Sequence, residues 1–206
     1  MQELSLHILD LAYNAVEAGA RHVSIEVIEE RATDRLTIVV SDDGRGMDEA
    51  TSRQVTDPFY TSRTTRKVGL GLSLLSEAAE AAGGGLRIRS APGRGTTVEA
   101  TFQLSHVDRA PLGDLPGTVL VLVVGQPDVA FRYRHAVDGR EFEFDGEAYR
   151  EALGTMSPQH PAALRWLRGA LSEDYGETVR EDDAEAWQLG GAEAAQGRGP
   201  AHNTRP

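Results

Sequence analysis

The chain contains no cysteine, and this absence removes several kinds of chemistry at once. Disulfides, thiolate metal ligands and cysteine nucleophiles are all excluded. Long apolar runs are missing too, because the longest of them, residues 118–124, is far too short to span a bilayer. The N-terminus has no basic region followed by an apolar stretch, so we expect no signal peptide. These absences together predict a soluble cytoplasmic protein.

Positive charge is also scarce. The formal net charge is −11, and Lys67 is the only lysine. An acidic balance of this size argues against nucleic acid or an anionic membrane as a partner. The length of 206 residues is enough for one domain and a smaller unit beside it.

Residues 1–104 contain two similar blocks, each a helical pattern followed by two strand patterns. Apolar residues at spacings of three and four indicate the helices, and β-branched runs indicate the strands. The predicted elements are helix 3–18, strands 23–28 and 36–40, a short helix 48–55, helix 70–82, and strands 86–90 and 96–104. Strands that follow one another directly favour an α+β fold over a doubly wound sheet.

The remaining chain is predicted to form a linker, a second unit and a tail. Residues 105–116 contain two prolines and two aspartates, and 117–172 form a small α+β unit with a hairpin at Asp138-Gly139. Within that unit the hairpin strands are 129–135 and 140–144 and the helices are 146–153 and 160–171. For residues 117–124 two predictions remain: a strand, from their β-branched residues, or a helix that begins at Asp114 and Pro116. Residues 173–206 are acidic and then rich in Gly and Ala, which predicts disorder.

The first helix carries a polar face. His7, Asp10, Asn14 and Glu17 follow spacings of three, four and three, so they share one side of the helix. Such a stripe is usually a solvated face. The alternative is a catalytic site, since the amide oxygen of Asn14 suits Mg²⁺ and the carboxylate of Asp10 could orient or deprotonate a nucleophile beside it.

Three further segments are rich in glycine or in positive charge. Asp42, Gly44 and Gly46 follow a strand, where a carboxylate can accept a hydrogen bond from an amine such as that of adenine. The alternative is an ordinary acidic turn. Gly69 and Gly71 open a helix, where backbone N–H groups can face phosphate, although an ordinary loop-to-helix junction has the same pattern.

The segment 57–67 separates these glycine motifs. Arg63, Arg66 and Lys67 make it an anion-seeking loop in an otherwise acidic chain, although a solvated basic loop is the simpler explanation. The glycine motif that follows lacks the Gly-Lys-Ser/Thr ending of a P-loop and the third glycine of a Rossmann fingerprint, so neither of those nucleotide sites is predicted.

Taken in order, these motifs resemble the GHKL superfamily of gyrase B subunits, Bergerat-type heat-shock chaperones, sensor histidine kinases and MutL. The resemblance covers about residues 1–104. The N-box matches residues 7–15, the G1 box Asp42, Gly44 and Gly46, the F box Asp57-Pro58-Phe59, the G2 box Gly69-Leu70-Gly71-Leu72, and the closing motif Gly93, Gly95 and Thr96.

The resemblance implies a two-layer α/β sandwich that binds ATP and Mg²⁺. It has a mixed, mostly antiparallel sheet with helices on one face, here followed by a small C-terminal α+β appendage. By resemblance, Asn14 is the magnesium ligand, Asp42 contacts adenine and Asp10 is the base. The other residues expected to contact ATP are Gly44, Gly46, Met47, Phe59, Arg63, Arg66, Lys67, Gly69, Leu70, Gly71, Leu72 and Thr96.

Two departures from the histidine kinase pattern bear on the reaction. Asp10 stands where histidine kinases usually have asparagine, which is closer to MutL-like ATPases and anti-sigma serine kinases. In addition, no dimerising hairpin with a phosphoacceptor histidine precedes the N-box, so we expect a standalone ATP-binding protein. We therefore predict an ATPase or a protein kinase that acts on an unidentified protein partner, and a homodimer is compatible with this.

The alternative hypothesis is a nucleotide-gated interaction module without catalysis. Residues from 115 to about 171 resemble small bacterial ATP-binding proteins, some of which are encoded beside iron hydrogenase or NADH-dehydrogenase-like genes. That resemblance implies a role as an accessory of a redox system.

Overall fold

The first helix is built on the apolar stripe that its spacing predicts. The computed structural model describes residues 3–54 and 70–171 together with Tyr175, and α1 spans Leu4–Glu17. Its residues Leu4, Ile8 and Leu11 are buried against the sheet. The helix ends before Gly19, whose φ of 80° is the left-handed conformation that lets a glycine close a helix.

Six strands form one mixed sheet. They are β1 (His22–Glu30), β2 (Arg35–Asp42), β3 (Gly85–Ser90), β4 (Thr96–Gln103), β5 (Ala130–Val137) and β6 (Arg140–Asp145). Their order is β3-β4-β2-β1-β5-β6. Only the β1–β5 pair is parallel, and the other four pairs are antiparallel. This sheet, with its helices, confirms the predicted α+β class.

Five further helices complete the described residues. They are α2 (Glu49–Gln54), α3 (Leu70–Ala81), α4 (Leu115–Gly125), α5 (Gly146–Leu153) and α6 (Pro161–Gly169). Alternate residues of β1, such as Val23, Ile25 and Val27, are buried on the helix side, whereas Ser24 and Glu26 on the other face are partly exposed. No helix in the described ranges is long and apolar enough to cross a membrane.

The segment that the sequence left open is a helix. Asp114 caps α4 by accepting a hydrogen bond from the backbone N–H of Gly117 at 2.9 Å, and Pro116 stands in the first turn. The β-branched residues of this segment are tolerated because α4 packs against α1 and β5. Tertiary packing therefore outweighs their weak preference for a strand.

The predicted C-terminal unit shares its sheet with residues 1–104. His22 to Glu29 of β1 pair with Ala130 to Val137 of β5, so the unit extends the sheet. The predicted linker also packs against the first helix. The backbone N–H groups of Leu4 and Ser5 donate to the carbonyls of Pro111 and Leu112 at 2.9 and 2.8 Å. Because β5 runs parallel to β1, the chain needs a crossover connection before β5, and α4 supplies it.

Candidate functional site

The polar face of α1 meets the beginning of α3. Gly71 is the second residue of α3, and a Cβ atom there would lie 3.6 Å from the Oδ2 atom of Asp10 and 4.0 Å from the Nδ2 atom of Asn14. Asp10 is exposed and Asn14 is partly buried. The first turn of α3 therefore lies over the two side chains, which is where a helix N-terminus can face an anion held beside them.

His7 belongs to the same face but is buried. Burial lowers the pKa of His7, and the nearby charge of Asp10 only partly offsets this effect. The neutral form of the imidazole is therefore favoured, which fits a residue buried in the core beside the polar face.

Asp42 ends β2 in a partly buried position. Its Oδ1 atom accepts a hydrogen bond from the backbone N–H of Gly44 at 2.8 Å. Burial raises the pKa of Asp42, while the backbone N–H groups of Gly44 and Thr96 act in the opposite direction and the neighbouring Asp43 adds to the increase. A carboxylate that is partly desolvated in this way gains from a donor that a ligand brings.

Two glycines hold the loop after Asp42 against the turn before β4. Gly46 has a φ of 64°, and a Cβ atom there would lie 2.0 Å from the carbonyl oxygen of Ala91. Gly95 has a φ of 77°, and its Cβ atom would lie 1.8 Å from the carbonyl oxygen of Asp42. Side chains other than hydrogen do not fit at either position, so both glycines are required for this close approach.

One cavity joins these elements. It encloses about 80 Å³. Its lining residues come from α1, β2, the loop after β2, α3 and β4: Leu11, Asn14, Ala15, Ala18, Val40, Asp42, Arg45, Gly46, Met47, Leu72, Thr96 and Val98. Most of this wall is apolar, with the polar side chains of Asp42 and Asn14 within it. An apolar cavity with a few oriented polar groups is typical of a small-molecule site.

Residues 2–106, just over half of the chain, match the family described as histidine kinase-, DNA gyrase B-, and HSP90-like ATPase. The chain belongs to this ATPase family.

The relatives of this ATPase-family chain include bacterial sensor kinases. Sensor protein kinase FleS of Pseudomonas aeruginosa is 41% identical over 105 residues, which are 51% of this chain and 25% of FleS. Sensor histidine kinase ZraS of Salmonella typhimurium is 33% identical over 89 residues, which are 43% of this chain and 19% of ZraS. The chain thus spans a quarter or less of the length of these relatives.

A solved structure extends the likeness beyond the family match. The N-terminal domain of a DNA repair protein has a TM-score of 0.54 to this chain and covers 85% of it, and this chain covers 59% of that domain. The sequence identity is 14%, so the likeness concerns the fold alone.

The structure brings together part of the predicted ATPase site. Asn14, Asp42, Gly46, Met47, Leu72 and Thr96 line the cavity. Asp10, Gly44 and Gly71 lie next to lining residues, and Leu70 is the first residue of α3. Phe59, Arg63, Arg66, Lys67 and Gly69 lie outside the described residues.

Sequence reasoning missed much of the apolar wall. Leu11, Ala15 and Ala18 recur at helical spacing around Asn14, and Val40 and Val98 stand two residues from Asp42 and Thr96 on their strands. Both periodicities could have identified them, because residues two apart on a strand share a face.

A second cavity of about 310 Å³ also has Asp42 in its lining. The rest of that lining comes from Ser41 and Asp43 beside Asp42, the starts of β1 and β5, and the region around the end of β6. Neither Asn14 nor a residue of α3 lines this second cavity, whereas the smaller cavity contains Asn14, Asp42 and Leu72 together. The volume of the smaller cavity, about 80 Å³, is below the roughly 300–1,000 Å³ of typical ligand pockets.

Proposed function

We propose that the chain binds ATP together with Mg²⁺ in the cavity between α1, β2 and β4. The observation that carries the proposal is that a partly buried carboxylate, Asp42, and the amide of Asn14 line one apolar cavity in a chain of this ATPase family. The carboxylate would accept a hydrogen bond from the exocyclic amine of adenine. Met47 and Leu72 would contact the faces of the base.

The residues present also fit a nucleotide at the phosphate end. Asn14 offers a neutral oxygen to Mg²⁺, and phosphate oxygens would complete the coordination. When bound, Mg²⁺ would neutralise the charge that develops on the phosphates. The first turn of α3 at Gly71 supplies backbone N–H groups. Arg63, Arg66 and Lys67 remain predictions for the same role.

Asp10 is the proposed general base. It stands one helical turn before Asn14 and next to Gly71, and with phosphate bound at the first turn of α3 its carboxylate would lie beside the approaching nucleophile. Its carboxylate would orient a water molecule or a hydroxyl group of a protein partner. The reaction is therefore ATP hydrolysis or transfer of the γ-phosphate to a protein, and the sensor-kinase relatives support a role in signalling.

Substitution of Asp10 tests this role. Asp10→Asn should keep ATP affinity within about twofold, because the amide retains the size of the carboxylate, and should lower turnover about 10²- to 10⁴-fold. The measurement is phosphate release or phosphotransfer at saturating ATP. Glu17→Gln on the same helix face is the matched control and should keep turnover. Full turnover by Asp10→Asn would remove Asp10 as the base.

Calorimetric titration of Mg²⁺-ATP tests the binding site itself. The wild type should bind ATP, and Asp42→Asn should lose most of the affinity. The amide oxygen would stay with the N–H of Gly44, so the NH2 group would face the adenine amine, which is also a donor. Asp34→Asn is a matched control at the opposite end of the sheet, where Asp34 bonds Ser105 and Gln103. Absence of binding by the wild type would overturn the proposal.

A second candidate is a nucleotide-gated interaction module. The observation in its favour is that α1 carries Asn14 and also contacts α4 and the segment around Pro111. Nucleotide binding could therefore alter the surface that the C-terminal part offers to a protein partner. ATP binding without turnover, in the presence of the partner, would favour this candidate.

A further inference from the structure

Asp43, next to the proposed adenine-reading Asp42, bonds the start of β1. Its Oδ1 atom accepts hydrogen bonds from the backbone N–H groups of Arg21 and His22 at 2.7 and 2.9 Å. Its Oδ2 atom lies 2.7 Å from the Nδ1 atom of His22. One carboxylate thus fastens the end of β2 to two consecutive peptide groups and one imidazole.

These hydrogen bonds affect the pKa of the Asp43 carboxyl group. Partial burial alone would raise the pKa of Asp43, but the hydrogen bonds from His22 and from the backbone of Arg21 and His22 lower it to about 2. The charged form is therefore the one that the surrounding donors fit.

The peptide between Asp42 and Asp43 is held from two sides. Gly95 packs against the carbonyl group of Asp42 on the β4 side. Asp43 fixes the same peptide on the β1 side. Because the direction of a side chain follows its backbone dihedral angles, these two contacts help to orient the Asp42 carboxylate, together with the hydrogen bond that its Oδ1 atom accepts from Gly44.

The same bonds reach a part of the chain beyond the family match. The carbonyl group of Arg21 accepts a hydrogen bond from the backbone N–H of Ala130, the first residue of β5, at 2.7 Å. The Nε2 atom of His22 lies 3.8 Å from Glu147 of α5, a long and exposed contact that adds little. The backbone hydrogen bond from Ala130 to Arg21 is therefore the stronger of these two contacts.

We propose that Asp43 and His22 are positioning residues that hold Asp42 in its nucleotide-reading orientation and tie that orientation to β5. The inference rests on the proposed function of Asp42. It gives the C-terminal strands a role in nucleotide selection. Displacement of β5 would move Arg21 and His22, to which Asp43 is hydrogen-bonded.

The test compares ATP with inosine triphosphate, which has an oxygen in place of the exocyclic amine. Calorimetric affinities for both nucleotides are measured with Mg²⁺ on the full chain. A hydrogen bond to a charged group contributes enough for the wild type to prefer ATP by about tenfold or more. Asp43→Ala should weaken ATP binding about tenfold and bring the ratio of the two affinities close to one.

The control is Asp34→Ala. Asp34 also accepts three hydrogen bonds, from Ser105 and Gln103, and it has a φ of 51° that alanine tolerates poorly. This variant should lose at least as much thermal stability as Asp43→Ala and keep the ATP preference. A general loss of stability would lower the affinity for both nucleotides equally and leave the ratio of the two affinities unchanged.

His22 supplies an independent pair of variants. His22→Ala removes the imidazole and should lower the ATP preference, whereas His22→Asn keeps a side-chain donor near the position of Nδ1 and should restore it. This pair decides the question even where Asp43→Ala fails to fold.

The outcomes separate the two proposals. If the wild type binds neither nucleotide, the proposed function fails and this inference fails with it. If the wild type prefers ATP and Asp42→Asn loses that preference, but Asp43→Ala and His22→Ala keep it, the proposed function stands and the positioning role is overturned.

Discussion

Alanine at Gly95 should disable nucleotide binding, whereas alanine at Gly93 should not. Both glycines belong to the turn before β4, and both have positive φ, 77° and 71°. They differ in what a Cβ atom would meet. At Gly95 it would lie 1.8 Å from the carbonyl oxygen of Asp42, and at Gly93 it would meet none of the described atoms within 4 Å. Comparing the two variants therefore distinguishes the effect of backbone strain, which both have, from the effect of displacing Asp42, which only Gly95→Ala has.

The strain alone is similar in both variants. An L-residue in the left-handed region costs about 1–2 kcal/mol. For a chain of this size, about 2–4 °C of melting temperature corresponds to each kcal/mol, so Gly93→Ala should lower Tm by about 2–8 °C. Gly95→Ala bears the same cost and must also move the backbone of Asp42.

The displacement at Gly95 can be bounded from contact distances. The optimal separation of non-bonded heavy atoms begins at about 3.5 Å. A contact of 1.8 Å therefore requires a shift of more than about 1 Å, shared between the turn and Asp42. Binding groups must be held to within roughly 0.5 Å. We expect Gly95→Ala to lose at least about tenfold in ATP affinity.

Two measurements check this prediction: the calorimetric Kd for Mg²⁺-ATP and the melting temperature of each variant. Gly93→Ala should melt lower but bind ATP with nearly the wild-type Kd. Wild-type affinity in Gly95→Ala would refute the reasoning, and so would an equal loss of affinity in both variants.

Three further changes should act mainly on stability. Asp42→Asn should stabilise the nucleotide-free protein near pH 7, because burial raises the pKa of Asp42 and so disfavours its charged form. Thermal melts should show this gain in stability shrinking as the pH falls toward about 4. His135→Ala should cost about 3–5 kcal/mol in urea unfolding, since it leaves a cavity at a fully buried ring and removes the hydrogen bond between the Nε2 atom of His135 and Glu29 at 2.9 Å. Asp114→Ala should cost about 1 kcal/mol in the same assay, because it removes the cap of α4, and should leave ATP affinity unchanged.

Local patterns in the sequence were enough to predict most elements and the order of the motifs. The spacing of Leu4, Ile8 and Leu11 predicts α1, and Asp138-Gly139 predicts the hairpin in which both residues have positive φ, 48° and 88°. These predictions succeed because helical periodicity and turn chemistry depend on residues that are close along the chain. The family membership follows from the same kind of information.

The apolar wall of the cavity and the conformation of α4 depend on contacts between distant residues. Val40 and Val98 become cavity residues only when β2 and β4 pair in the register that sets Asp42 opposite Thr96. The residues of α4 have strand-like composition, and their packing on α1 and β5 decides for a helix. Neither choice can be made from intrinsic propensity, because the free energy of packing exceeds it.

The sequence by itself determined that this chain carries the motifs of an ATPase family, with Asp10, Asn14 and Asp42 at fixed places among its helices and strands. Only the tertiary structure decided that β5 pairs with β1 and that Asp43 and His22 join the end of β2 to the start of β1. Strand pairing across more than 100 residues leaves no periodic signal in either segment, since it is selected by the burial and hydrogen bonding that both gain on folding.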